Sequence, residues 1–242
     1  MIRRIATFAG IVSTLALAIH ASPFVMSIAT PALAACGDAA DRGVDWSGCR
    51  KRNIIMSDFD FEGSDFTRAD LSSSDLRRSN LNGATFKKAN LVRASLQEAT
   101  AMEANFSNAV ASRTDFSYTD LRNANFAKAE TNRTNFTGAN LSGADLSKAE
   151  FARGVFSQAI ISGVNFDYTN LSRSDFRGAS FEAAPSMLNA YLFQTRVEGL
   201  DLSNVSGLEN WQISLACGDE NTKLPAGLQR PESWPCTDLD DD

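Results

Sequence analysis

Large apolar residues return every fifth position along most of the chain. They stand at Met56, Phe61, Phe66, Leu71, Leu76, Leu81, Phe86, Leu91 and Leu96, and again at Phe106, Phe116, Leu121, Phe126, Phe136, Leu141, Leu146, Phe151, Phe156, Ile161, Phe166, Leu171, Phe176 and Phe181. Two positions before each stands a mostly small residue, such as Ala69, Ala84, Ala89, Ala104, Ala124 and Ala144. A helix keeps residues on one face with a period of about 3.6 and a strand with a period of two, so neither would hold this set on one side. A corner every five residues would. Four such segments close a square of twenty residues, with the small and large positions pointing inward and the other three facing water.

Segments such as Thr67-Arg68-Ala69-Asp70-Leu71, Lys87-Lys88-Ala89-Asn90-Leu91 and Ser142-Gly143-Ala144-Asp145-Leu146 resemble the A-(D/N)-L-x-x pattern of the pentapeptide-repeat family. The resemblance covers residues 54–206 and implies an all-β fold, a right-handed quadrilateral β-helix. Seven to eight coils stacked at about 4.8 Å would make a rod about 35 Å long. Some cytoplasmic members of that family mimic DNA and bind topoisomerases through a strongly acidic face; this chain is similar to them in repeat only.

Numbering by twenties sorts the inward residues into columns. Phe66, Phe86, Phe106, Phe126 and Phe166 share one column, and Phe116, Phe136, Phe156 and Phe176 share the opposite one. The expectation is a filled core with two facing aromatic ladders, not a cofactor channel. Asp65, Asp70, Asp75, Asn80, Asn90, Asn125, Asn140 and Asp145 precede the apolar centres, where short polar side chains suit tight corners. The pattern weakens at Ala101, Ala111 and Thr131. An unfilled leucine-to-alanine space costs on the order of 2–5 kcal/mol, which predicts a waist or a bulge bringing in Met102 or Val110. After Phe181 the phase slips by one residue through Ala183-Ala184-Pro185, and inward positions continue at Met187, Leu192, Val197 and Leu202.

The ends differ from the middle. Arg3 and Arg4 precede an apolar stretch from Ile5 to Ile19, and Ala32-Leu33-Ala34 supplies an A-x-A cleavage signal, so residues 1–34 read as a secretory signal peptide. A membrane anchor is the competing reading, but Ser13, Thr14, His20, Ser22 and Pro23 interrupt a stretch that needs about 20 apolar residues. No transmembrane span is expected after cleavage, and the location is periplasmic or secreted. Leu33-Ala34-Ala35-Cys36 also resembles a lipobox, so an envelope lipoprotein anchored through Cys36 is the alternative. Cysteine parity favours plain secretion: Cys36, Cys49, Cys217 and Cys236 form one pair on each side of the repeat. An open solenoid needs caps. Residues 35–53 are read as an N-terminal cap held by Cys36–Cys49, and 207–242 as a C-terminal cap held by Cys217–Cys236. A short helix over Leu208–Leu215 would cover the last coil with Trp211, Ile213 and Leu215, and Asp238–Asp242 would form a solvated tail.

The net charge of −6 becomes two units more negative without residues 1–34, and that segment holds His20, the only histidine. The mature chain then has no imidazole for general base catalysis or metal binding. No glycine-rich phosphate loop, Cys-x-x-Cys pair or calcium loop is visible. These features point away from an enzyme, a metal site, a cofactor and a nucleic-acid partner; a β-helix hydrolase is the remaining catalytic alternative. One surface feature emerges from the arithmetic. Arg93, Arg113, Arg133, Arg153 and Arg173 are twenty apart and should form a ladder along one outer edge, with Arg68, Lys88, Lys128 and Lys148 one side away. Such a ladder suits an anionic envelope component or an acidic protein, because arginine forks pair well with phosphate and carboxylate. Glu130, Glu150, Asp115 and Asp175 lie close enough in sequence to neutralise it, which would leave an ordinary solvated face.

Overall fold

A computed structural model describes residues 36–236. The expected signal segment and the acidic tail lie outside the described residues. Parallel bridges join residues twenty apart in an unbroken series from Asp45↔Asp65 to Ile160↔Ser180, so every twentieth residue lies over its predecessor. Each side carries one outward bridging residue between two inward ones. The corner after it places its second residue in the left-handed region, with φ of 53–66° at non-glycine positions from Asn53 to Gln194. The N–H groups of the apolar centre and of that corner residue donate to the coil that follows, as from Leu71 N to Asn90 O at 2.8 Å and Ser73 N to Val92 O at 2.9 Å. The chain thus closes as a four-sided β-helix.

The interior is filled. Phe66, Phe86, Phe106 and Phe126 stack with centroids 4.8, 4.8 and 4.6 Å apart, and Phe116, Phe136, Phe156 and Phe176 at 5.1, 5.1 and 4.6 Å. The two ladders meet edge to face across the core, as in Phe106–Phe116 at 5.4 Å. Where Leu146 interrupts the first ladder, Phe151 enters from the adjacent column and contacts Phe126, Phe136 and Phe156.

No bulge forms at Ala101 or Ala111, which corrects that expectation. Both stay in register, donating to Asp120 O and Glu130 O at 2.8 Å, and both are fully buried, while Met102 and Val110 keep outward positions. The reason lies within the layer: its other two centre positions hold Phe106 and Phe116, whose rings meet edge to face in the core. Thr131 also points inward, and its hydroxyl donates to Glu150 O at 2.9 Å.

A buried hydroxyl ladder accompanies the rings. Ser74, Ser79, Thr114, Thr119, Thr134, Thr169 and Ser174 occupy the small inward position, and each donates to the carbonyl 23 residues earlier, as Thr114 does to Leu91 O at 2.7 Å. The polar residue next to each centre forms the expected local turn, for example Thr67 N–H donating to Asp65 Oδ1 at 2.7 Å and Val92 N–H to Asn90 Oδ1 at 3.1 Å.

The ends refine the predicted boundaries. Coiling already begins before residue 54: Trp46 N–H donates to Asp65 O and Lys51 N–H to Asp70 O, so much of the expected N-terminal cap is itself the first coil. The Cys36–Cys49 disulfide ties the preceding segment to it. The one-residue slip is present: the bridge spacing rises from twenty at Ile160↔Ser180 to twenty-one at Asn165↔Ser186, and Ser162 Oγ accepts the N–H groups of Glu182 and Ala183. Met187, Leu192, Val197 and Leu202 are buried after it.

The closing helix, α1 (Asn210–Leu215), departs from the prediction in which residue faces inward. Gln212, not Trp211, is buried beside Ile213, and its Nε2 donates to Met187 O at 2.8 Å and Ala190 O at 3.0 Å. The last coil leaves carbonyls unpaired, and an amide satisfies two of them where an indole could supply only one donor. Trp211 is 41% exposed and donates to Glu209 Oε2. Below α1, Cys217–Cys236 joins the terminal segment to the solenoid, and Trp234 lies buried against Gly218 with its Nε1 donating to Ala216 O at 2.6 Å.

Candidate functional site

The corner turns align the basic residues. Arg93, Arg113, Arg133, Arg153 and Arg173 all occupy the second corner position, with φ of 58–59°. Their N–H groups donate in sequence to Ser112, Asn132, Ala152, Ser172 and Phe193 carbonyls at 2.8–3.1 Å, each acceptor lying in the following coil. Because backbone conformation and partner repeat, the side chains leave the prism from one edge at intervals of one strand spacing, about 4.8 Å. The ladder inferred from the sequence is therefore a single vertical row. The row ends at Gln194, whose Oε1 accepts from Arg173 Nε at 2.9 Å.

The second basic column occupies the adjacent corner in the same conformation: Arg68, Lys88, Lys128 and Lys148 have φ of 58–61° and face outward. It is interrupted by Asn108 and continues as Tyr168. The side between the two corners carries Asn90, Val110, Glu130, Glu150, Asn170 and Tyr191 outward.

Three of the four neighbouring acids have partners outside the ladder. Asp175 is held by Arg177, whose Nη2 lies 2.6 Å from Oδ2. Burial pushes the Asp175 carboxyl up, but hydrogen bonds from the Arg177 side chain and backbone leave it below the usual carboxylate range. Asp115 accepts from Ser117 N–H at 3.0 Å and Asn135 Nδ2 at 3.1 Å, and Glu150 from Asn170 Nδ2 at 2.7 Å. The same arginine-two-after-aspartate clasp holds Asp75 with Arg77 and Asp120 with Arg122, where hydrogen bonds from the guanidinium lower both carboxyls. Among the described residues, Arg93, Arg113 and Arg133 take part in no ion pair. A shallow open depression beside Arg93 is lined by Ser73, Asp75, Ser95, Gln97 and Asp115. Among the described residues, no cluster of acids and cysteines has the arrangement of a metal site, and no helix is long and apolar enough to cross a membrane.

The sequence reading missed an exposed aromatic group on the same side of the prism: Tyr168, Tyr191 and Phe193 are 53%, 44% and 37% exposed. Outward positions carry no packing constraint, so the five-residue period says nothing about them.

The pentapeptide-repeat family model matches in eight copies over residues 52–83, 79–117, 89–126, 119–158 and 159–199. The chain belongs to the pentapeptide-repeat family. Two solved structures of pentapeptide-repeat character are similar to it. HetL, a pentapeptide-repeat protein involved in heterocyst differentiation regulation in the cyanobacterium Nostoc sp. strain PCC 7120, is 16% identical, with 82% of this chain and 94% of that one covered at a TM-score of 0.53. A trypsin-treated variant of QnrB1, a plasmid-mediated fluoroquinolone resistance protein, is 21% identical, with 74% and 91% covered at a TM-score of 0.59. At these identities the likeness shows the fold, the right-handed quadrilateral β-helix of pentapeptide-repeat proteins. No curated protein matches the chain in sequence.

Proposed function

We propose that this pentapeptide-repeat protein is an exported, non-catalytic interaction scaffold that holds an anionic envelope component or acidic protein along the Arg93–Arg173 edge. The observation that carries the reading is the pairing pattern: Asp175, Asp115 and Glu150 are engaged by Arg177, Ser117, Asn135 and Asn170, while Arg93, Arg113 and Arg133 have no ion pair among the described residues. A column of like charges one coil apart is unfavourable alone and becomes favourable against a polyanion. Export is supported by the N-terminal signal pattern and by the Cys36–Cys49 and Cys217–Cys236 disulfides, which suit an oxidising compartment. The lack of a histidine after residue 20 favours binding over general base catalysis.

The test is affinity capture from envelope extracts with the purified protein beside a variant carrying Arg113→Gln, Arg133→Gln and Arg153→Gln. A specific partner retained by the wild type and lost by the variant is the expected result. Identical capture by both would return the edge to an ordinary solvated surface.

A further inference from the structure

The side bounded by the arginine corner changes character at its C-terminal end. Tyr191 and Phe193 stack with centroids 6.3 Å apart and planes 12° from parallel, both facing solvent. Tyr168 continues the lysine column after Lys148, and its N–H donates to Leu188 O at 2.8 Å, which brings a 38% exposed leucine beside it. Phe193 O accepts the Arg173 N–H at 2.8 Å, so this apolar platform adjoins the last rung of the ladder. A row of cations thus leads onto exposed rings.

We propose that this surface binds an extended acidic polysaccharide with one carboxylate per sugar, running parallel to the solenoid axis. Its carboxylates pair with Arg93, Arg113 and Arg133, and a sugar ring lies against Tyr191 and Phe193. The inference rests on reading the ladder as an anion site, and it adds the class of ligand.

The aromatic platform selects that class. The C–H faces of a sugar stack on exposed rings, and neither polyphosphate nor polyglutamate offers such a face, while the arginine forks pair bidentately with the carboxylates that a polyuronate carries. Glu130 faces the same side of the prism, so the ligand runs along the corner and not down the middle of the side.

The test titrates the purified protein with polygalacturonate, polyphosphate and polyglutamate of matched charge, following heat at two salt concentrations, with circular dichroism confirming that each variant is folded. Polygalacturonate is expected to bind at least about tenfold more tightly than either other polymer. Arg113→Gln with Arg133→Gln should weaken it about tenfold or more and flatten the salt dependence. Tyr191→Ala with Phe193→Ala should weaken polygalacturonate severalfold and leave polyphosphate unchanged. Equal binding of all three polymers, lost in the arginine variant, would overturn the glycan assignment and keep the anion site. No binding of any polymer would overturn both. Polygalacturonate binding unmoved by either double variant would overturn the assignment as well.

Discussion

Two columns in this protein repeat one residue type every twenty positions, and they stand in opposite relation to folding. Inside, Phe66, Phe86, Phe106 and Phe126 stack at 4.6–4.8 Å, so each ring is buried by its neighbours and gains from their identity. Outside, Arg93, Arg113 and Arg133 are one coil apart with the same charge, and each occupies a left-handed corner that costs a non-glycine residue about 1–2 kcal/mol. Another corner of the same square shows the cheaper solution, with Gly63, Gly83, Gly143 and Gly163 at the equivalent position. Stability alone accounts for the phenylalanine column. The arginine column gains no comparable stability from its repetition.

Three substitutions sharpen that contrast. Phe126→Ala removes a ring that touches Phe106, Phe116 and Phe136, and it should cost about 3–5 kcal/mol in chemical denaturation, because neighbouring coils fix the cavity walls. Thr114→Val keeps the shape but leaves Leu91 O with the Ala94 N–H as its remaining donor, and a loss of about 0.5–1.5 kcal/mol is expected in the same measurement. Arg133→Gly should act in the other direction, raising stability by up to about 1 kcal/mol, since relief of the left-handed corner outweighs the added freedom of the unfolded chain. Its unfolding midpoint should also respond less to added salt than that of the wild type, because one like charge has left the column. A destabilised Arg133→Gly protein would mean that the arginine serves the fold, and the contrast would collapse.

Much of this was legible in the sequence because the fold converts spacing directly into position. A five-residue period set the sides, twenty set the columns, and the slip near Pro185 appeared as a change of phase. Ala101 and Ala111 misled because volume was judged down each column, whereas packing is settled across each layer, where the rings of Phe106 and Phe116 meet. The buried hydroxyls were visible as Ser and Thr at the small position, yet size was read there and donor capacity was not. Trp46 stands at a centre position of the first coil, but Lys51 takes the next centre and breaks the apolar period, which hid its start. Trp211 and Gln212 exchanged roles because unpaired carbonyls at a solenoid end reward an amide, a demand that periodicity does not record. The ladder's alignment followed from arithmetic; the engagement of its neighbouring acids depended on side-chain choices among several near partners.

Each coil hydrogen-bonds only to the coils on either side, so the protein is graduated like a ruler whose unit is the distance between adjacent strands. Whatever occupies the second corner position is repeated at that unit without any further design. A molecule that carries its own charges at the same interval would be measured by it, and one with a different interval would fall out of step within a few graduations.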